Sequence, residues 1–332
     1  MKLNPDIREI KPPTPTCHAP AIERWAGGTA LAWFGGTMEG ADDSAVYVMP
    51  DMAGEQVIKL AVAGLPAWNP VLIEYQDRLL LFYRLGRFCD CWQTMVAEIK
   101  WHSQGVCSVS PSQFLPAGII GPVKCRPVEH IGCLVCGASV ETAMRWSAYV
   151  ETLLRTKAGA WECWRSRPIE MGKRPADKAA RGLIQPAVWQ DAAGIWHALM
   201  RCDGMDGRAW HASSDLLEDW SPALPTDIRN PNSGLSVTVV DGQAWLAHND
   251  SAIYRRPLRV VPLAEIPGDR PGTDCVRAIG PGIVVDPGPV IAPAGGTTEV
   301  SYPYLAPGRQ GGLLLAYTYM RQRIRVATLD VE

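Results

Sequence analysis

Glycine and proline set the tightest limit on how this chain can fold. The sequence carries 31 glycines and 28 prolines, nearly one residue in five, spread along all 332 positions. No long stretch with a helical apolar period survives between them, which argues against long helices. What survives is short. Thr29–Phe34, Val71–Tyr75, Leu79–Tyr83, Ile195–Met200 and Leu313–Tyr317 are apolar or alternating runs of strand length. Asp77-Arg78, Ala193-Gly194, Asp241-Gly242 and Gly311-Gly312 fall between consecutive runs, where hairpin turns belong.

The runs recur as a unit: an X–Pro step, an apolar strand, a Gly or Asp turn, and a second strand closing on a polar residue. Asn69–Arg84, Gln185–Arg201 and Tyr302–Tyr317 are three copies, and Arg126–Cys136 is a shorter fourth. Four-stranded units repeating at roughly 50 residues are the mark of a β-propeller, and 332 residues give about six blades. The expected fold is therefore all-β, a six-bladed propeller forming one domain over 17–332 behind a proline-rich lead-in at 1–16. A β-sandwich would leave the recurring X–Pro step unexplained. Thirteen tryptophans, falling once or twice per unit, suit the gaps between blades, and one or two could line a sugar-binding face.

Charge narrows the function. The 32 basic and 34 acidic side chains leave a net charge of -2, which gives no electrostatic drive toward nucleic acid or an anionic membrane. No apolar run is long enough to span a bilayer, and the N-terminus reads as no export signal. Ten cysteines are too sparse for a disulfide scaffold in a chain this long, so free thiols in a cytoplasmic protein are expected. Cys133/Cys136 and Cys89/Cys91 lack the second paired set that a zinc site needs, and no cofactor fingerprint occurs. The expected partner is a small molecule or oligosaccharide; the oligomeric state is left open.

Ligands of propellers lie over the central channel, so polar residues at matching points of the units are the candidates. The X–Pro steps offer Gln185 and Tyr302, and the second strands end on Arg84 and Arg201. Such arginines either converge as an anion clamp or tie blades together through carboxylates. Lys124 and Arg126, after Gly121-Pro122, are expected to reach the channel. Glu141 could add a carboxylate, and Ser233 and Asn249 could bind hydroxyl groups. The loop after Phe34 brings Glu39 and Asp43, a carboxylate pair able to divide acid and base roles if their environments differ.

His18-Ala-Pro-Ala-Ile, Trp33–Asp43, Gly121–Pro127, Ile184-Gln-Pro186, Asn230–Gly234, Glu299–Pro303 and Arg321–Ile324 together resemble the bacterial sialidase-like proteins with BNR repeats. The resemblance covers about residues 17 to 328. It implies a six-bladed propeller acting on a glycosidic bond, in which three arginines hold a sugar carboxylate, an aspartate is the acid/base and a tyrosine is the nucleophile. Asp43 then matches the aspartate, Arg201 and Arg255 two of the arginines, and Tyr302 the tyrosine, with Arg321 a further substrate contact. His18 stands where the family places its first arginine, and Gln185 near the glutamate that assists the tyrosine. The family's Ser-x-Asp-x-Gly turns are eroded to Ser213-x-Asp215 with Trp220.

An imidazole cannot make the bidentate fork of a guanidinium, but it can move protons near neutral pH. Authentic sialidase activity is therefore not expected. The leading expectation is a glycosidase for a small anionic glycoside, with Asp43, His18, Tyr302 and Glu39 catalytic. The alternatives are a lyase, isomerase or cyclase on the same scaffold, or a propeller that binds carbohydrate without turnover.

Overall fold

The computed structural model describes residues 5–102, 107–172, 180–204, 206–266, 275–292 and 297–331. Strand β1 (Asp6–Ile10) precedes six antiparallel sheets arranged as the blades of a propeller. Blade 1 is β2 (Thr16–Trp25), β3 (Gly28–Gly36), β4 (Ala45–Met49) and β5 (Ile58–Leu60). Blade 2 is β6 (Ala67–Tyr75), β7 (Arg78–Leu85) and β8 (Gln93–Trp101), with β9 (Cys107–Val109) and β10 (Gln113–Phe114) both against β8. Blade 3 is β11 (Val128–His130), β12 (Cys133–Glu141), β13 (Trp146–Arg155) and β14 (Trp161–Arg165). Blade 4 is β15 (Leu183–Gln190), β16 (Trp196–Cys202), β17 (Arg208–Ser214) and β18 (Leu224–Arg229). Blade 5 is β19 (Ser236–Val240), β20 (Gln243–Asn249) and β21 (Leu258–Ile266), flanked by β22 (Cys275–Ala278) and β23 (Ile283–Asp286). Blade 6 is β24 (Val300–Pro307), β25 (Leu313–Tyr319) and β26 (Arg323–Leu329), and β1 completes its outer edge.

The six-bladed propeller read from the repeat is the observed fold. The ring closes where β1 pairs with β26 over Asp6↔Thr328 to Ile10↔Ile324, so the N-terminal segment supplies a strand to the last blade. That strand buries little: the pattern DIREI is exposed at four of its five residues, which is why no alternation announced it. Inner strands are buried on both faces and read as near-continuous apolar runs, as in β6 and β24. Trp33 and Trp189 fill the packing between sheets, whereas Trp101 and Trp164 are exposed. Adjacent blades press backbone to backbone at Gly137, where a Cβ would lie 1.9 Å from the Pro186 carbonyl oxygen. None of the ten cysteines forms a disulfide.

The channel is plugged by polar groups that cross it. Glu23 on β2 accepts two hydrogen bonds from Arg126, from Nε at 2.6 Å and Nη2 at 2.8 Å, joining blades 1 and 3. The Tyr304 hydroxyl of blade 6 donates to the Leu72 carbonyl of blade 2.

Candidate functional site

The X–Pro step has a structural meaning. In β2, β6, β15 and β24 the register slips by one residue at that step. The residue before each proline, Ala19, Asn69, Gln185 or Tyr302, takes a left-handed backbone with φ between 41° and 54°. A non-glycine residue held there costs on the order of 1–3 kcal/mol and persists only where its surroundings demand it. Proline suits the step because the bulge leaves that position without a ladder hydrogen bond to donate. Four inner strands therefore bend at the same level, at one end of the channel. The residue preceding each bulge pairs with Phe34, Arg84, Arg201 or Thr318, so both arginines end second strands at that same level.

Tyr302 is the hub of this end. The His18 ring lies 4.2 Å from it, centroid to centroid. Arg255, Arg201 and Lys124 stand 5.6, 5.7 and 5.9 Å from the ring centre. Arg201 Nη1 donates to the Tyr302 hydroxyl at 2.7 Å and to Gln185 Oε1 at 3.2 Å, while its Nε donates to Asn232 Oδ1 at 2.8 Å. Arg255 Nη2 donates to the Asn232 carbonyl at 3.2 Å. Lys124, from blade 3, reaches under the ring and donates to the carbonyls of Leu235 and Pro303, which fixes the floor.

Glu299 organises the other side. It accepts from Arg321 Nε at 3.0 Å and from Ser301 Oγ at 2.8 Å, and its carboxylate lies 3.7 Å from Arg255 and 3.8 Å from His18 Nδ1. Arg321 also pairs with Glu39 of the blade 1 loop. Arg201, Arg255 and Arg321 thus supply three guanidinium groups, although blade 1 offers an imidazole.

His18 is 2% exposed, and neither ring nitrogen has a hydrogen-bond partner within the chain. Burial, reinforced by Arg321, Arg255, Arg201 and Lys124, holds its pKa well below 6.5, so it is neutral at pH 7. Burial likewise lowers Lys124 to about 8. Glu141 moves the other way: burial raises its pKa, and the charges of Arg201 and Arg84 only partly offset this. It pairs across the strands with Trp146, whose ring is 5.9 Å from Arg201.

The expected site residues therefore separate. His18, Lys124, Gln185, Arg201, Arg255, Tyr302, Arg321 and Glu39 form one connected cluster, with Glu141 beside it. Asp43 is fully exposed and accepts hydrogen bonds from the Thr37 hydroxyl and amide, which lower its pKa. Arg126 reaches the channel but is taken by Glu23. Ser233 donates to Asn249 at 2.7 Å, and Asn249 donates to the Val300 carbonyl at 2.8 Å; both side chains are sealed between blades 5 and 6. Glu299 and Asn232 were given no role from sequence. Their positions, three residues before Tyr302 and in the blade 5 counterpart of the bulge region, were the available signal.

A six-bladed propeller with a phenol, an imidazole and converging guanidinium groups at one end of its channel has the architecture of the sialidase-like propellers. The chain belongs to the family of the BNR repeat-like domain, whose model matches residues 28–314. No curated protein matches it in sequence. Among solved structures it is similar to a protein of unknown function from Dyadobacter fermentans, with TM-score 0.66 and 13% identity over 98% of this chain and 99% of that one. It is also similar to the Trypanosoma rangeli sialidase bound to the inhibitor DANA, with TM-score 0.61 and 12% identity, covering 96% of this chain but only 55% of that one. For the NanB sialidase of Streptococcus pneumoniae the TM-score is 0.63 at 8% identity, over 97% and 70% of the two chains. At these identities the likeness is one of fold.

Proposed function

We propose that this protein is a glycosidase for a small anionic glycoside, with Tyr302 at the reacting carbon and Arg201, Arg255 and Arg321 holding the anion. The observation that carries the reading is the cation-rich setting of the Tyr302 phenol. Arg201 donates directly to its oxygen and fixes its position for attack. A neutral nucleophile also avoids repulsion from an anionic substrate. Gln185 reaches the phenol only through Arg201 and, being an amide, cannot serve as its base. His18, unprotonated and in ring contact but with neither nitrogen bonded to the hydroxyl, would take the phenolic proton after its ring turns toward that oxygen.

The leaving group needs an acid. Two carboxylates compete: Asp43, which the family resemblance favours, and Glu141. The raised pKa of Glu141 supports it as the donor, since a general acid works best when its pKa approaches the operating pH. The lowered pKa of Asp43 opposes that role while Thr37 holds it. Release of methylumbelliferone from a panel of acidic and neutral glycosides tests the proposal. Acidic members are expected to turn over and neutral ones not. Tyr302→Phe and Glu141→Gln should each lose about 10²–10⁴ in rate, with Asp43→Asn near wild type. Full turnover by Tyr302→Phe would overturn the nucleophile, and loss confined to Asp43→Asn would move the acid to the loop.

The neutral His18 against Tyr302 also supports a second reading, an elimination or isomerisation driven by proton transfer between them. Product mass separates the two, since only hydrolysis adds water.

A further inference from the structure

On the same end of the propeller, a cleft of about 630 Å³ opens between blades 2 and 3. Arg84 lies at its base, with Trp92, Thr94, Ile119 and Ser139 around it and Phe114 at the lip. Arg84 ends its strand at the same level as Arg201, so the cleft and the Tyr302 site share a face. A row of ring contacts links them: His18 to Phe34 at 5.7 Å, Phe34 to Trp68 at 5.7 Å, and Trp68 to Trp92 at 5.3 Å.

Arg84 is poorly satisfied for a buried cation. It is 3% exposed and makes one hydrogen bond, from Nη2 to the Gly121 carbonyl at 3.2 Å. Its Nε has no partner, and no carboxylate among the described residues lies within ion-pair distance. The indole N–H of Trp92, on the wall of the same cleft, is buried and unpartnered as well. Glu151 and Glu141 act on the Arg84 charge only from beyond ion-pair distance, and Asp90 on the cleft lining pairs with neither donor, so two buried N–H groups at one cleft lack an acceptor, which is costly. Burial lowers the Arg84 pKa only to about 10, so it stays charged at neutral pH.

The wall behind these donors is built to hold its shape. Glu151, fully buried, accepts the backbone N–H groups of Ile120 and Gly121 at 3.1 and 2.6 Å and pairs with Arg165 at 2.6 Å. That carboxylate makes its hydrogen bonds within the wall and none to Arg84, although its charge favours the Arg84 cation.

We propose that this cleft is a second subsite, which takes an anionic saccharide unit next to the one held at Tyr302, so that the substrate is an acidic oligosaccharide. The anion lies over the Arg84 guanidinium beside Trp92, side-chain shifts bringing the sealed Nε and indole N–H to it, and the apolar lip at Phe114 and Ile119 covers a sugar face. The inference rests on the central site binding a glycoside.

Calorimetric titration of the full chain with a glucuronate-containing disaccharide, a sulfated disaccharide and neutral cellobiose tests it. Either anionic disaccharide is expected to bind at least 10-fold more tightly than cellobiose, and which of them does so names the anion. Arg84→Met should weaken that binding by about 10- to 100-fold. Trp92→Phe, which removes the indole N–H and trims the ring while leaving Arg84 in place, should weaken it by about 5-fold and serves should Arg84→Met fail to fold. Arg201→Met separates the two sites: binding that persists there but falls in Arg84→Met or Trp92→Phe supports the subsite even without turnover. Equal affinity for cellobiose, unchanged affinity in both cleft variants, or loss in Arg201→Met alone would overturn it.

Discussion

The Glu23–Arg126 pair should behave as a buried ion pair that is costly to break and cheap to replace. Glu23 is 4% exposed, and two charge-assisted bonds of 2.6 and 2.8 Å tie it to Arg126 across the channel. Truncating one partner strands the other charge, which typically costs about 3–5 kcal/mol, whereas a volume-matched apolar pair is often neutral or stabilising. Glu23→Leu and Arg126→Met should therefore each lose about 3–5 kcal/mol. The double variant should stay within about 1–2 kcal/mol of wild type. The singles differ in how pH acts on them. Without Arg126 the buried Glu23 carboxyl, already raised above its ordinary 4.5 by burial, rises further. The folded state then binds a proton the unfolded state does not, so stability grows as pH falls through that raised pKa toward 4.5. Arg126→Met should accordingly recover part of its loss between about pH 7.5 and pH 5. Glu23→Leu should not, because a guanidinium has no proton to shed. Urea titrations at the two pH values measure both effects. A double variant that loses the sum of the singles, or singles that lose under about 1 kcal/mol, would refute a dry, coupled pair.

Three further outcomes follow from packing and burial. Gly137→Ala puts a methyl group 1.9 Å from the Pro186 carbonyl oxygen, backbone that cannot swing aside, and should cost about 3 kcal/mol or more in thermal unfolding. Asn249→Ala orphans the Val300 carbonyl and the Ser233 hydroxyl in a sealed contact, and a loss of about 2–4 kcal/mol by urea titration is expected. His18 has a folded pKa below its ordinary 6.5, so the unfolded chain binds the extra proton and stability falls as pH drops below about 6.5. His18→Gln should flatten that fall, with His248 adding a smaller one in the same direction.

The fold was legible because its message is local and repeated. An X–Pro step, an apolar run and a turn residue are all within a few positions of each other, and four of six blades carry the set. The step also marked the site, since the bulge that proline tolerates is what brings Gln185 and Tyr302 to one level. Contacts that depend on which strand ends meet across the ring were not legible. Glu299 reaches His18, and Arg321 reaches Glu39, only because blades 1 and 6 adjoin, and Arg126 meets Glu23 only because the channel is narrow. The closing strand β1 hid for the opposite reason: it contributes backbone pairing and almost no burial, so it left no pattern.

The charge balance around Tyr302 explains an imidazole where the family resemblance expects an arginine. Lys124, Arg201, Arg255 and Arg321 face two carboxylates, Glu299 and Glu39, and Glu299 is already shared between Arg255 and Arg321. A guanidinium at position 18 would bring a further buried cation with no carboxylate left to pair it, whereas His18 sits there uncharged. His18→Arg should therefore destabilise the protein by about 3–5 kcal/mol. His18→Gln, neutral and smaller, should lose clearly less. An anion that binds the folded state would narrow that gap by mass action, so millimolar glucuronate should raise the unfolding temperature of His18→Arg more than that of His18→Gln. Equal stability of the two variants would show that solvent or a mobile carboxylate already neutralises the site, and the electrostatic case for an anionic substrate would go with it.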